Sequence, residues 1–211
     1  MHAKSELLVA PCSYKAAKYA AEKWHYTKSL SSAANVYFGV WERGVFIGAI
    51  VFARGANNSM HKPYNLQMTE ICELTRIALT NHVAPVSQIM MSAIKQLSKR
   101  NVNLRLIVSY ADPEQGHNGS IYQATNWVYT GETKSADEYI VNGVRRHARS
   151  INNIKPISMT ARQFVQQYPN SSIVKGSQKR RYLFPLDRAM RKQIAPLAKP
   201  YPKRKDKESQ A

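Results

Sequence analysis

The chain has 211 residues, and its hydrophobic content of 44% supports a folded core rather than disorder. Its length allows one full domain with an appendage or two small domains, and no apolar run reaches the roughly 18 residues that a membrane span needs. The net charge of +18 favours a polyanionic partner.

Local patterns in the first half of the chain predict a helix among several strands. Ser13 is a candidate N-cap for the first helix, and Glu42-Arg43-Gly44 is typical of a turn between two strands. A second helix has apolar residues at helical spacing. We predict strands at 6–11, 36–55 (two strands) and 70–80, and helices at 13–26 and 84–101.

The second half opens with an apolar run, 104–112, that is typical of a buried strand. Thr160 is a candidate cap for a later helix, and a short apolar stretch follows at 182–186. We further predict a helix at 118–126, a strand at 127–133, a strand or hairpin at 138–150 and a helix at 160–169. The order up to residue 150 is therefore β-α-β-β-β-α-β-α-β.

Positive charge is concentrated in the C-terminal third. Residues 141–211 contain 17 Lys and Arg against three Asp and Glu, whereas residues 1–140 are nearly balanced. Nucleic acid is the first candidate partner, because phosphate neutralisation drives such binding, and the alternative is a tail that adds solubility. Tyr182 beside the basic run could stack on a base. The candidate phosphate contacts are Lys28, Arg145, Arg146, Arg149, Lys179, Arg180 and Arg181.

The element order and the segment "HNGSIYQATNWVYTGE" resemble the GCN5-related N-acyltransferase superfamily. Asn118, Tyr122, Asn126 and Trp127 lie near the positions of its Asn, Tyr and Gly-Phe signature. This resemblance implies an α/β fold with a mixed sheet flanked by helices. It also implies a cleft where two neighbouring strands part.

A narrower resemblance is to the phage Mom family, carried by "WHYTKS", "CELTRIAL", "VSYADPEQGHNGSIYQATNWVYTG" and the basic C-terminus. That family adds a carbamoylmethyl group to the N6 amine of adenine and so protects phage DNA from host restriction. The resemblance implies a catalytic domain over 1–150 and a basic extension over 151–200 that packs on it and contacts DNA. Residues 201–211 are expected to be disordered. Double-stranded DNA is the implied partner, and the host cytoplasm the implied location.

Four residues are candidate catalytic groups. Asp112 ends the buried strand and could act as a base or orient the adenine amine, although an Asp before a Pro is also common in turns. The superfamily resemblance implies that Tyr122 donates a proton to the leaving group, and the alternative is a core aromatic. His25 and Tyr26 end the first helix, where the helix dipole favours a charged histidine.

The donor is expected to contact Arg76, Ser87 and Asn118. The usual donor loop of the superfamily has glycines whose backbone N–H groups hold a pyrophosphate. The corresponding segment here, 76–88, has none, but a helix N-terminus can still hold an anion. Acyl-coenzyme A and an aminoacyl ester on RNA both remain open as donors. The candidate side chains also suggest an iron site formed by His25 and Asp112, with His117 or Tyr122 as a further ligand.

Two other classes of function remain compatible with these patterns. One is an acyltransferase that modifies a protein or a small amine, for which the basic C-terminus would be incidental. The other is a DNA-binding protein without catalysis, for which substitutions at Asp112 and Tyr122 would have no effect on function.

Overall fold

The computed structural model describes residues 6–31, 33–55, 58–147, 151 and 158–202. They fall into two compact units. The larger unit lies within residues 1–111, 117–131 and 180–211, and the smaller unit within residues 112–116 and 132–179.

The larger unit is built on a seven-stranded sheet with helices packed on it. Its strands are β1 (Leu7–Pro11), β2 (Ala34–Glu42), β3 (Val45–Ala53), β4 (Ile71–Leu79), β5 (Leu106–Ala111), β6 (Val128–Glu132) and β10 (Arg180–Pro185). Its helices are α1 (Tyr14–Trp24), α2 (Val86–Arg100), α3 (Ser120–Gln123) and α5 (Arg188–Ile194).

The strands of this sheet follow the order β1-β2-β3-β4-β5-β10-β6. The pair β4–β5 is parallel, whereas β1–β2, β2–β3, β3–β4 and β5–β10 are antiparallel. A parallel pair needs a crossover, and α2 supplies it between β4 and β5. The predicted mixed sheet flanked by helices is therefore confirmed.

Side chains alternate across the sheet and separate the core into two layers. On β3, Ile50 and Phe52 pack with α2, whereas Ala49 and Val51 pack with Ala17 of α1. This alternation is the period of two that a strand imposes, and it explains the continuous apolar run of β3. On β5, Ile107 faces the α2 layer, while Leu106 and Val108 pack with α5.

Short-range signals placed the elements of the first half well. The side chain of Ser13 accepts the N–H of Ala16 and caps α1 as predicted. Arg43 and Gly44 both have positive φ, +50° and +75°, the backbone that tight two-residue hairpins require. The predicted hairpin is confirmed, with its turn at the expected residues.

The smaller unit contains a three-stranded sheet and one helix. The elements are β7 (Asp137–Val141), β8 (Val144–His147), α4 (Ala161–Gln167) and β9 (Ser171–Lys175), and the strand order is β8-β7-β9. Tyr139, Val141, Ile151 and Val165 form its core. The hairpin alternative for 138–150 is thus correct as far as residue 147, and Thr160 caps α4 through a capping box with Gln163.

The C-terminal region differs from the prediction in one main respect. Residues 180–185 form β10, which pairs along its whole length with β5 in the main sheet. β10 lies between β5 and β6 in this sheet, so the larger unit contains segments on both sides of the smaller unit in the sequence. Sequence reasoning also missed β9 and α5, and it made α3 too long.

No helix in the described ranges is long and apolar enough to cross a membrane.

Candidate functional site

The parallel ladder between β4 and β5 is short. It pairs Ile71 with Leu106 and ends at the pair Leu74 and Ser109, although β4 continues to Leu79. Beyond this point the two strands are no longer paired. We call the place where the pairing of β4 and β5 ends the fork.

A bulge in β4 lies at the fork. Against β3, Val51 pairs with Arg76 and Phe52 pairs with Leu74, so Thr75 is an extra residue. Bulges bend a strand and increase its twist, and they are frequent beside active sites. The bulge therefore provides a local cause for the departure of β4 from β5.

The last paired residues of the fork hold a short hydrogen-bond chain. The hydroxyl of Ser109 donates to the carbonyl of Leu74 at 2.8 Å, and it lies 2.8 Å from the hydroxyl of Tyr122. Because Ser109 has a single proton, Tyr122 is the donor in the second bond. Ser109 was not predicted, since nothing in its local sequence marks it.

Tyr122 is buried, with 7% of its surface exposed, and its ring stacks on Tyr182 at 4.8 Å. Burial raises the pKa of Tyr122 to about 12, against the opposing hydrogen bond with Ser109, so the phenol stays protonated at neutral pH. Tyr182 is fully buried, so its ring is not available to stack on a base as predicted. The cause is its position on β10 in the main sheet.

His25 follows α1 and is also buried. Burial, together with the positive charges of Arg76, His117 and Lys28, lowers the pKa of His25 to about 3. The expected charged form is therefore wrong, because desolvation outweighs the helix dipole. Nδ1 accepts the backbone N–H of Thr27 at 3.2 Å and lies 2.9 Å from the Thr27 hydroxyl. An Nδ1 that accepts corresponds to the neutral ring with its proton on Nε2.

Tyr26 and His117 lie beside His25. The Tyr26 ring is 4.3 Å from the His25 ring and 5.3 Å from the His117 ring, and Tyr26 is 43% exposed. The end of α1 and the loop after β5 thus meet, and they combine two predicted catalytic residues with His117. This arrangement could contact a planar ligand through its aromatic faces.

Arg76 of β4 lies one residue past the bulge. Its Nε donates to the carbonyl of Ser29 at 3.0 Å and its Nη1 to the carbonyl of Thr75 at 2.7 Å. Burial lowers its pKa, and among the described side chains no carboxylate lies within 4 Å of its guanidinium. A cation in such a place is suited to an anionic ligand.

Asp112 belongs to the smaller unit and caps the turn formed by Pro113–Gln115. Its Oδ1 accepts the N–H of Glu114 and the hydroxyl of Ser177, and its Oδ2 is 3.6 Å from Nζ of Lys179. These bonds give Asp112 a structural role of the kind expected for an Asp before a Pro. Its catalytic role stays a prediction.

The remaining predicted donor contacts occupy different settings. Ser87 lies in the first turn of α2 and is half-buried. Asn118 accepts the N–H of Ser120 through its side chain, and its carbonyl accepts from Arg180 and Tyr182. Asn126 has φ +60°, a backbone that suits the glycine of the superfamily signature and that Asn tolerates.

The predicted DNA contacts divide by exposure. Lys28 and Arg146 are exposed, and Arg145 is exposed but paired with Glu114 and Glu138. Lys179 pairs with Asp112. Arg180 and Arg181 lie on β10 and donate to the carbonyl of Asn118 and the hydroxyl of Thr130. Arg149 lies outside the described residues.

No group of three or more His, Cys, Asp or Glu side chains in the described part of the chain is placed to hold a metal ion. The structure therefore does not support the iron site predicted from His25 and Asp112. The low pKa of His25 reflects burial and nearby cations.

The described residues form a mixed α/β protein in which polar side chains lie where the pairing of β4 and β5 ends. The chain belongs to the Mom protein family, whose family model matches residues 6–203. The narrower resemblance of the sequence is thereby confirmed. Among curated proteins, none matches this chain.

Solved structures with a similar course of the chain include several acyltransferases. A GNAT family acetyltransferase from Elizabethkingia anophelis with acetyl-CoA bound is 12% identical with a TM-score of 0.46, and the match covers 87% of this chain and 100% of that one. FeeM, an N-acyl amino acid synthase from uncultured soil microbes, is 10% identical with a TM-score of 0.49, over 92% and 97% of the two chains. Spermidine/spermine N-acetyltransferase SpeG from Vibrio cholerae, in complex with manganese ions, is 10% identical with a TM-score of 0.47, over 90% and 96%.

Proposed function

We propose that this protein is a transferase that modifies the N6 amine of adenine in double-stranded DNA. The product is N6-carbamoylmethyladenine, which protects phage DNA from host restriction. The observation that carries the proposal is the fork, where the pairing of β4 and β5 ends at Leu74 and Ser109 and the hydroxyl of Tyr122 lies 2.8 Å from that of Ser109. Membership of the Mom protein family supports the same reading.

The acceptor sets the first requirement. The N6 amine is a weak nucleophile because its lone pair is delocalised into the ring, and in a duplex it is also hydrogen-bonded. An enzyme that acts on it flips the base out of the stack. The exposed ring of Tyr26, next to His25 and His117, offers an aromatic surface for a flipped adenine.

The side chains at the fork suit group transfer. Neutral His25 presents an Nε2–H donor, which can hydrogen-bond a carbonyl oxygen of the donor and so orient the carbon to be transferred. Tyr122 remains protonated and is the proposed proton donor to the departing carrier. For Asp112, which lies in the smaller unit, the role of orienting the amine or accepting its proton stays a prediction from the sequence.

The balance of the transfer is simple. A bond forms between N6 and the transferred carbon, the bond from that carbon to its carrier breaks, N6 loses one proton and the carrier gains one. A plain acyl transfer leaves a carbonyl carbon on N6, whereas the carbamoylmethyl product has a CH2 there. The product therefore requires chemistry beyond acyl transfer. The bound donor would supply the activated carbon.

The outer face of α1 supports DNA as the partner. Lys15, Lys18 and Lys23 are exposed there, together with Tyr14 and Tyr19. Lys side chains interleaved with aromatic rings suit a polyanion with stacked bases. The helix ends at the side chains beside the fork, so DNA bound along it would bring a flipped base towards them.

Mass spectrometry of nucleosides tests the proposal. DNA from cells that express the wild type should contain a modified adenosine with the mass of the carbamoylmethyl adduct. Tyr122→Phe and Arg76→Gln should reduce this species at least tenfold at equal levels of folded protein, whereas the distant surface variant Lys99→Gln should not. Asp112→Asn should also reduce it if the carboxylate acts on the amine.

Other outcomes point to the alternative classes. An unmodified adenosine profile with folded wild type present would contradict the proposal. Acylation of proteins or polyamines in the same cells without DNA modification would favour an ordinary acyltransferase. If Tyr122→Phe modifies adenine in DNA as fully as the wild type, the proposed role of Tyr122 as proton donor is contradicted.

A further inference from the structure

The loop between β4 and α2 already holds an anion of the protein itself. Glu42, the last residue of β2, accepts the backbone N–H of Val83 at 2.8 Å through Oε2 and that of Ala84 at 2.6 Å through Oε1. Glu42 is buried, with 8% of its surface exposed. Its carboxylate thus sits on two consecutive amides immediately before α2.

These amides lie where a pyrophosphate would be expected from the resemblance to the superfamily. There, consecutive backbone N–H groups before the crossover helix hold the anion. In this chain the next residue is Pro85, which has no N–H to offer. Three successive residues before α2 are therefore closed to a phosphate, two because of Glu42 and one because it is proline.

The negative charge of Glu42 also opposes the binding of a phosphate at this loop. The N–H groups of Val83 and then Ala84 lower the pKa of Glu42 against the opposing effect of burial, and His82 and Arg43 lower it further. The carboxylate is therefore ionised at neutral pH. A phosphate brought to the start of α2 would meet a buried like charge.

We propose that Glu42 is a built-in replacement for the donor pyrophosphate, so that the donor is not held as a coenzyme A thioester at α2. The donor is instead an activated molecule whose anionic group lies close to the transferred carbon and contacts Arg76 in the fork. This inference rests on the proposed group transfer for the role of the donor. Its binding test needs no DNA modification.

The surroundings of Arg76 support its proposed contact with the anionic group of the donor. Its guanidinium donates to the carbonyls of Ser29 and Thr75. No carboxylate of the described residues pairs with it within 4 Å, although the charge of Glu73 acts on it from farther away. A guanidinium positioned in this way can bind a carboxylate or phosphate. In this proposal the anionic group of the donor is bound by the side chain of Arg76 at the fork, and not by backbone N–H groups at the start of α2.

Titration calorimetry on the full-length protein tests whether the pyrophosphate of coenzyme A contributes to binding. The measurement uses about 0.2 M salt, which screens long-range attraction. Acetyl-CoA and S-acetylpantetheine carry the same thioester, but only the first has the pyrophosphate. We expect either no binding of both or affinities within about threefold of each other. Acetyl-CoA binding at least tenfold tighter than S-acetylpantetheine would overturn the proposal.

Thermal unfolding with inorganic pyrophosphate tests Glu42 directly. Glu42→Ala frees the two amides, so millimolar pyrophosphate should raise its Tm by about 3 °C or more over matched chloride. The wild type and the surface control Glu22→Ala should gain no more than about 1 °C. If Glu42→Ala does not fold, Glu42→Gln removes the charge and frees one of the two amides, so pyrophosphate should still raise its Tm more than that of the wild type. A wild-type gain equal to that of the variant would refute the assignment.

A third measurement tests Arg76. If the donor contacts it, Arg76→Lys should retain more DNA modification in cells than Arg76→Gln, because Lys keeps the charge but not the bidentate geometry. Equal activity of both variants and the wild type would overturn this half. Tight acetyl-CoA binding together with normal DNA modification would remove the donor inference and leave the proposed function intact. Weak acetyl-CoA binding together with unmodified DNA would contradict the proposed function and leave the inference about the donor intact.

Discussion

At the scale of single residues, burial controls the chemistry of the fork. Tyr122 and His25 are both titratable and both buried, and burial keeps each in its neutral form. A neutral phenol and a neutral imidazole are hydrogen-bond donors that carry no charge of their own to repel a substrate. The cation among them is Arg76, whose positive charge also contributes to the low pKa of His25.

The buried neutral His25 predicts a specific dependence of stability on pH. Its pKa in the folded protein is about 3, whereas an unfolded histidine titrates near about 6.5. Below about pH 6.5 the unfolded chain binds a proton that the folded protein does not, so stability present above that pH is lost as the pH falls towards 3.

We expect the wild type to lose about 2 kcal/mol more than His25→Asn between pH 7 and pH 5. Asn can still accept the N–H of Thr27 but does not titrate. Urea denaturation across this range measures the difference, and between pH 7.5 and 8.5 the offset between the two proteins should be constant. Parallel curves from pH 7 to pH 5 would contradict the burial of a neutral ring.

At the scale of elements, the entry to α3 depends on a close approach of two segments. Gly119 has φ +80°, and a Cβ at this position would lie 2.1 Å from the hydroxyl oxygen of buried Tyr182. The same Tyr182 ring stacks on Tyr122. A shift of Tyr182 would therefore disturb the phenol at the fork.

Gly119→Ala should destabilise the protein by about 3 kcal/mol or more, because strain at positive φ adds to a collision in the core. Gly116 is a matched control, since it has φ +70° and nothing within 4 Å of the Cβ position. Gly116→Ala should cost about 1 kcal/mol. Guanidinium denaturation of both variants measures the difference, and equal losses would show that Tyr182 does not restrict the site.

At the scale of the whole molecule, the positive charge is spread over both units, and much of the basic C-terminal third is integrated into folded elements. Arg180 and Arg181 belong to β10 and hydrogen-bond within the larger unit. The exposed lysines of α1 were not predicted as DNA contacts, because the first 140 residues are nearly neutral in total. Net charge by segment does not indicate which face presents the charge.

A pair of charge reversals tests which face binds DNA. Lys15→Glu with Lys18→Glu should weaken binding of a DNA duplex at least tenfold and reduce the slope of log K against log salt by about 2. Lys95→Glu with Lys99→Glu on α2 makes the same change in net charge on the opposite layer of the sheet. Equal weakening by both pairs, in electrophoretic shift assays over a salt series, would argue for attraction by net charge alone.

The sequence by itself determined most of the local structure. Ser13 and Thr160 cap helices where predicted, Arg43 and Gly44 form the hairpin turn, and apolar periodicity placed α2. Such features depend on residues only a few positions apart, so a single sequence contains the physical cause. The motif around Tyr122 likewise marked the Mom protein family.

Only the tertiary structure decided how distant segments combine at the site. The hydrogen bond of Glu42 with Ala84 spans 42 positions, and the pairing of β10 with β5 joins residues more than 60 positions apart. Whether Tyr182 meets solvent or Tyr122, and whether a loop amide meets a donor or Glu42, depends on how whole elements pack. Packing energy is shared among many contacts, and no short stretch of sequence contains it.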